Sequence, residues 1–243
     1  MLKYLCFFIL FFVSTAIKST TFGTYYIPGL VIDDNSGLFI KLHREVETRL
    51  ALKSELTIQP TKRIQMSFIK GLLDSYFPEL VENLPSVDHV TSEPFWLKKI
   101  ILVTPKNSPI KSIKDLQGKV VGAVSGYSYG SKIKQIPNVK LSYVNNDDAN
   151  IERMMRGYID AIIGDSKSTV TALENSQYKD EIQFDINAPI DILEVFYVCQ
   201  ATQSGKALCN SISNALYEMK QEQIINLNML TGDAEIIFPN NEN

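Results

Sequence analysis

The chain of 243 residues has only three cysteines, two histidines and one tryptophan. Two isolated histidines, with Cys199 and Cys209 ten residues apart, do not form a set of zinc ligands. The sequence also lacks a glycine-rich phosphate loop, so it predicts neither a metal nor a cofactor. The formal net charge of −3 gives no basic excess, which argues against a nucleic-acid partner.

Long hydrophobic runs are also lacking, and the only extended one lies at the start of the chain. It covers residues 5–13, which is too short for the roughly 20 residues that cross a bilayer. Lys3 precedes this run and the small residues 14–16 follow it, as in secretory signals. We therefore predict a cleaved signal peptide over residues 1–16 and export to the periplasm. A retained N-terminal anchor is the alternative.

Two cysteines remain after such a cleavage, Cys199 and Cys209. An exported compartment permits disulfides, so we predict a bridge between these two residues. Two buried free thiols are the alternative.

A short unit occurs twice in the chain. In each copy a helix-like run ends at a basic residue followed by glycine, two apolar residues and aspartate, with Gly71 and Asp74 in the first copy and Gly157 and Asp160 in the second. A strand-like run follows each copy and stops at a carboxylate. The repetition predicts two similarly wound α/β lobes rather than one continuous sheet.

The hydrophobic spacing between these units predicts alternating strands and helices. Strands are expected at 21–28, 55–59, 97–103, 119–124, 139–144 and 190–198. Helices are expected from Leu38, from Arg63, after one of the possible caps at 145–148, and over 208–219. Such alternation favours mostly parallel sheets, which bind ligands beyond the carboxyl ends of their strands.

His43 lies beside the apolar stripe of the first helix, and we interpret it as a packing residue.

Glu79 and Asp165 stand at two of the predicted strand ends. Both carboxylates are candidates to face one cleft and to favour an ammonium or other cationic group. The alternative for each is a helix-capping or solvated carboxylate.

Residues 126–130 match the Gly-x-Ser-x-Gly pattern of serine hydrolases. A triad of that fold needs a histidine after the serine, and both histidines, His43 and His89, come before it. What remains is a glycine-rich turn at a strand end, whose N–H groups and hydroxyls suit an anionic group such as a carboxylate.

Several segments together resemble family 3 bacterial extracellular solute-binding proteins. They are residues 24–28, the two Gly-x-x-Asp units, residues 92–95 and residues 113–119. The resemblance implies an α/β fold of the type II periplasmic-binding-protein kind, with two lobes joined by a two-strand hinge. It also implies a non-catalytic protein that closes around a small polar solute and presents it to an inner-membrane ABC permease.

The resemblance also suggests roles for individual residues. Tyr26 falls where the family has an aromatic wall, and Tyr127 and Ser128 fall in the turn that receives the ligand carboxylate. Asp165 falls where the family's aspartate receives the α-amino group.

The sequence departs from this family at residues 82–86, where an arginine that clamps the carboxylate is expected and none is present. Losing such a charge-assisted pair costs about a hundredfold in affinity, which puts ordinary α-amino acids in doubt. Arg63 or Lys62, just after Pro60, is a candidate substitute. A solvated helix start is the alternative for this segment.

We therefore predict a first lobe over residues 17–104 and 196–243 and a second lobe over 105–195. The protein is expected to be a monomeric solute-binding protein whose ligand contacts Tyr26, Arg63, Glu79, Tyr127, Ser128 and Asp165. The alternatives are a sensory binding module without uptake function and a dehydratase or lyase that uses Glu79 and Asp165 as acid and base.

Overall fold

The computed structural model describes residues 19–239. The predicted signal peptide, residues 1–16, lies outside this range. Between residues 19 and 239 no helix is long and apolar enough to cross a bilayer.

The described chain alternates helices and strands, as the hydrophobic spacing predicts. The helices are α1 (Leu38–Arg49), α2 (Thr61–Ile69), α3 (Asp147–Met155), α4 (Ser168–Asn175) and α5 (Gln203–Gln221). The strands are β1 (Thr20–Thr24), β2 (Ser54–Ile58), β3 (Ser75–Leu80), β4 (His89–Thr91), β5 (Trp96–Pro105), β6 (Val120–Val124), β7 (Lys140–Val144), β8 (Ala161–Asp165), β9 (Ile182–Phe184), β10 (Asp191–Gln200), β11 (Ile225–Asn228) and β12 (Asp233–Ile236). The predicted elements are all present, although the strand predicted over 21–28 ends at Thr24 and the helix predicted over 208–219 begins at Gln203. α4, β4, β9 and the β11–β12 hairpin are additional. Asn146 caps α3 by accepting a hydrogen bond from the Ala149 N–H at 2.9 Å.

The strands form two parallel groups that are joined by two long antiparallel strands. β1 pairs in parallel with β2 and β3, and β6 pairs in parallel with β7 and β8. Between the groups, β10 pairs with β3, β5 pairs with β8, and β5 and β10 pair with each other. β5 and β10 are therefore the two strands that connect the lobes, and we call them the hinge strands.

This pairing corrects one prediction. The two halves are not separate sheets, because the order β2-β1-β3-β10-β5-β8-β6-β7 is hydrogen-bonded without a break. Hinge strands that bond to both halves make them continuous. β5 pairs with β8 from Ile100 to Val103, and the lobe boundary predicted after Thr104 stays a prediction.

Each half has its own hydrophobic core on both faces of its sheet. In the first half, α1 and α5 cover one face and α2 covers the other. In the second half, α3 and α4 cover one face, and the opposite face packs against Tyr129, Leu116 and Ile133. Separate cores are what allow each half to fold around its own strands.

Cys199 and Cys209 lie in the core of the first half, on β10 and α5, and both are buried free thiols in this structure. The neighbouring Cys209 thiol, together with burial, raises the Cys199 pKa well above its ordinary value. The structure therefore shows the two thiols as neighbours without the predicted bridge. Formation of that bridge stays a prediction.

The repeated Gly-x-x-Asp unit has the same structure in both halves. Gly71 ends α2 with φ of 70° and Gly157 ends α3 with φ of 75°, in the left-handed region where glycine costs least. The aspartate of each copy then accepts a hydrogen bond from the start of an earlier strand, which pairs in parallel with the strand that follows the aspartate. Asp74 Oδ2 accepts from the Thr21 N–H on β1 at 2.8 Å, and Asp160 Oδ2 accepts from the Val120 N–H on β6 at 2.8 Å. The unit thus fastens a helix end to the central strand of its half.

Candidate functional site

A partly buried lysine on a hinge strand lies at the centre of a polar cluster where the two halves meet. The Lys98 Nζ is 3.8 Å from Asp165 Oδ2, and the two side chains are only 16% and 20% exposed. The same Nζ donates a hydrogen bond to the Ser128 carbonyl oxygen at 3.1 Å. It also lies over the rings of Tyr127 and Tyr129, at 5.1 and 5.7 Å from their centroids. Lys98 therefore links β5 to the end of β8 and to the turn after β6.

The strand register explains this position. Ile100 of β5 is opposite Asp165, the last residue of β8. Lys98 lies two residues before Ile100, so its side chain projects on the same face of β5 and just beyond the end of β8. A lysine in a mostly apolar strand is thus brought to the edge where parallel-sheet proteins bind ligands.

Three carboxylates act on the Lys98 ammonium, and each follows a different parallel strand. Asp165 ends β8, Asp147 begins α3 after β7, and Glu82 follows β3 in the first half. Burial lowers the pKa of Lys98, and the negative charges of these carboxylates oppose that effect. Burial also raises the pKa of Asp147, although this carboxylate accepts a hydrogen bond from Thr169 Oγ1 at 2.7 Å.

Asp165 uses its two oxygens differently. Oδ1 accepts hydrogen bonds from the backbone N–H groups of Lys167, at 2.9 Å, and Ser168, at 3.2 Å, in the turn into α4. Oδ2 faces Lys98. The predicted capping role and the predicted cleft-facing role of Asp165 are thus both compatible with its geometry.

The glycine-rich turn contributes a backbone oxygen and two tyrosine rings to the cluster. Ser128 contributes its carbonyl oxygen, and Tyr127 is 45% exposed beside the ammonium. Tyr129 is buried, and its hydroxyl accepts a hydrogen bond from the Val124 N–H at 2.8 Å, which fixes the turn against β6. Gly130 has φ of 79°, and a Cβ there would lie 2.2 Å from Asp191 Oδ2, so only glycine fits.

Glu79 lies within the first half and belongs to a different group of side chains. Its Oε2 accepts hydrogen bonds from Gln65 Nε2 at 2.8 Å and Tyr76 Oη at 3.2 Å, and its Oε1 accepts one from the Leu80 N–H at 2.9 Å. Burial raises the pKa of this carboxyl, and the three donors oppose that effect. None of the hydrogen bonds described for Glu79 between residues 19 and 239 involves Lys98 or Asp165.

Two further candidates from the sequence lie at the surface. Tyr26 is 62% exposed in the segment after β1. Arg63 is exposed on α2, and its guanidinium makes no hydrogen bond or ion pair with any residue from 19 to 239. Between residues 19 and 239, no hydrogen bond, ion pair or cation–π contact joins either side chain to Lys98 or Asp165.

A cavity of about 1180 Å³ is lined by the β11–β12 hairpin, Trp96, Lys167 and Glu194. The Lys167 Nζ lies 4.1 Å from the centroid of the Trp96 ring, a cation–π contact. None of the six predicted ligand residues lines this cavity. We therefore place the candidate site at the Lys98 cluster, where charged groups from both halves converge.

Sequence reasoning missed Lys98, Asp147 and Glu82. One signal was available for Lys98, because Lys98 and Lys99 are the only charges inside an apolar run that forms a core strand. A lysine in such a run must be paired or functional, since a buried unpaired charge is costly. Glu82 and Asp147 gave no comparable signal.

Comparison with known proteins gives one family match and many structural matches. A family model described as NMT1/THI5 like matches residues 97–200, which span both hinge strands and the second half between them. No curated protein sequence matches the chain.

Several solved structures share the fold at low identity. A GluR0 ligand-binding core in complex with L-glutamate has a TM-score of 0.65 and 15% identity, covering 86% of this chain and 95% of that one. The GluR0 ligand-binding core from Nostoc punctiforme, also with L-glutamate, has a TM-score of 0.62 and 17% identity, covering 84% and 94%. The substrate-binding protein of an amino acid ABC transporter has a TM-score of 0.58 and 18% identity, covering 85% and 95%. The chain therefore has the two-lobed α/β fold of type II periplasmic binding proteins.

Proposed function

We propose that this protein is a periplasmic solute-binding protein that captures a small polar solute, an amino acid or a related amine or acid, between its two lobes. An inner-membrane ABC permease would receive the solute. The signal-like residues 1–16 support export, and the substrate-binding protein of an amino acid ABC transporter has the same fold. The family 3 resemblance, a monomeric state and the lobe ranges predicted from sequence belong to the same proposal.

The observation that carries this proposal is the position of the Lys98 cluster. It lies on a hinge strand, and its carboxylates come from both lobes, with Glu82 from the first and Asp147 and Asp165 from the second. A solute bound there contacts both lobes at once, so binding favours the conformation in which the lobes are close. Lobe closure around the solute is the change that a permease can recognise.

The main test measures binding and closure together. Isothermal titration of the mature protein, beginning at Ile17, against amino acids, polyamines and small organic acids should give heat with at least one compound. Small-angle scattering should then show a smaller radius of gyration in the presence of that compound. No heat from the whole panel, with no compaction, would contradict the proposed function.

A further inference from the structure

We propose that Lys98 binds the anionic group of the solute and replaces the arginine that the sequence lacks at residues 82–86. The ligand would then carry a carboxylate. This inference rests on the proposed function and names the chemical class of its substrate.

The first argument is the number of hydrogen-bond donors on Lys98. A lysine ammonium has three donors. Among residues 19–239 only one acceptor lies within hydrogen-bond distance, the Ser128 carbonyl oxygen at 3.1 Å, because Asp165 Oδ2 at 3.8 Å is too far. Two donors of a largely buried ammonium therefore lack a protein acceptor. An oxygen-rich anionic group would satisfy both.

The second argument is that the arginines of the described chain, and two further lysines near the hinge, are engaged or remote. Arg44, Arg49 and Arg156 pair with glutamates on the outer faces of the helices, and Arg153 donates to Ser142 Oγ. Arg63 is exposed on α2. Lys167 lies over the Trp96 ring, and Lys99 pairs with Asp233. Lys98 is the cation that combines burial, unused donors and a place at the lobe junction.

The third argument is the surroundings of the ammonium. Tyr127, which is 45% exposed, flanks it on the side of the second lobe. The negative charge of Glu82 acts to raise the pKa of Lys98, and the Glu82 Oε2 is buried without a hydrogen-bond partner in the described structure. A solute with a carboxylate for Lys98 and an ammonium for Glu82 would satisfy polar atoms contributed by both lobes. The site thus fits a zwitterion better than a simple cation.

The experiment compares pairs of probes that differ by a carboxylate. L-arginine and agmatine form one pair, L-glutamate and γ-aminobutyrate form a second, and putrescine serves as a diamine without carboxylate. Each is titrated into the wild-type protein, Lys98→Met, Lys98→Arg and the control Lys114→Met, which removes an exposed lysine that has no described contact. Circular dichroism and the thermal midpoint establish that each variant is folded.

We expect heat from at least one amino acid, and weaker or no binding of its partner that lacks the α-carboxylate. Lys98→Met should reduce the affinity for that amino acid by about tenfold to a hundredfold, as for loss of a charged hydrogen bond. Lys98→Arg should keep most of the affinity, since it keeps the charge, and Lys114→Met should behave like wild type.

Two outcomes would overturn the assignment, and they are distinguishable. Equal binding by wild type and by folded Lys98→Met, or binding of agmatine or putrescine in preference to their carboxylate-bearing counterparts, overturns the role of Lys98 alone. The proposed function then stands. No heat from any probe with the wild-type protein overturns the solute-binding function for this class of compound, and the role of Lys98 with it.

Discussion

At the scale of single residues, burial decides which polar groups stay charged. His43 lies on the inner face of α1 with no exposed surface, and its ring contacts those of Phe22, Phe77 and Tyr197. Neither of its nitrogens has a hydrogen-bond partner in the described structure. Burial lowers its pKa from the ordinary value of 6.5 to about 4. The packing role predicted for His43 is thus confirmed, and it requires the neutral form.

We expect this histidine to make stability depend on pH. Below pH 6.5 the unfolded chain binds a proton at His43 that the folded protein does not, so stability is fully present above that pH and is lost as pH falls toward 4. The loss should be about 1.4 kcal/mol per pH unit in this window. Urea unfolding of the wild type and of His43→Leu, followed by circular dichroism at several pH values, measures it as the difference between the two slopes. Parallel curves for the two proteins would contradict the prediction.

At the scale of elements, the two Gly-x-x-Asp units show how one turn serves both lobes. In each, a left-handed glycine ends a helix, an apolar residue enters the core and the aspartate binds the start of a central strand. The two copies differ in the hydrogen bonds described for their aspartates. Asp74 Oδ2 accepts hydrogen bonds from both the backbone N–H and the hydroxyl of Thr21, whereas for Asp160 only the bond from the Val120 N–H is described. Asp74 is also less exposed than Asp160.

This difference predicts unequal effects of the same substitution. Asp74→Ala should lower the free energy of unfolding by about 2 kcal/mol and Asp160→Ala by about 1 kcal/mol, because a partly buried carboxylate with two acceptor contacts contributes more. Chemical denaturation of the two variants provides the measurement, with each serving as the other's control. An equal or reversed order would show that the second contact at Asp74 adds no stability.

At the scale of the whole molecule, the C-terminal hairpin contacts the hinge. Lys99 of β5 is 7% exposed and pairs with Asp233 of β12, and Gly232 packs against the Lys99 and Ile192 side chains. The pairing lowers the pKa of Asp233. The hairpin thus supplies the counter-charge of a lysine that would otherwise be buried alone on a hinge strand.

Asp233→Asn should therefore destabilise the protein by about 1 to 2 kcal/mol, since Lys99 keeps its burial but loses its partner charge. The exposure of Asp233 limits the effect through solvent screening. Glu235→Gln is the matched control, because Glu235 is exposed on the same strand and no ion pair involving it is described. Thermal unfolding compares the two variants, and equal midpoints would mean that the Lys99 pair adds no net stability.

The sequence by itself determined the elements and their order. The elements depend on local properties, which can be recognised in the sequence without knowing what packs against them. These properties are the helix periodicity, the polar cap before α3 and the glycines that end α2 and α3. The same holds for the repeated unit that indicated two lobes. The family resemblance added the two-strand hinge, which the pairing of β5 and β10 confirms.

Only the tertiary structure decided which charges meet at the lobe junction. Glu79 and Glu82 are three residues apart, yet Glu79 is held by Gln65 and Tyr76 while Glu82 acts on Lys98. The direction of a side chain near a strand end depends on pairing, and β3 pairs with β10 through a register shift between Phe196 and Val198 that no local pattern reveals. Lys98 likewise reaches Asp165 only because of the register between β5 and β8. The register between strands that are distant in sequence therefore decides which charged side chains meet at this site.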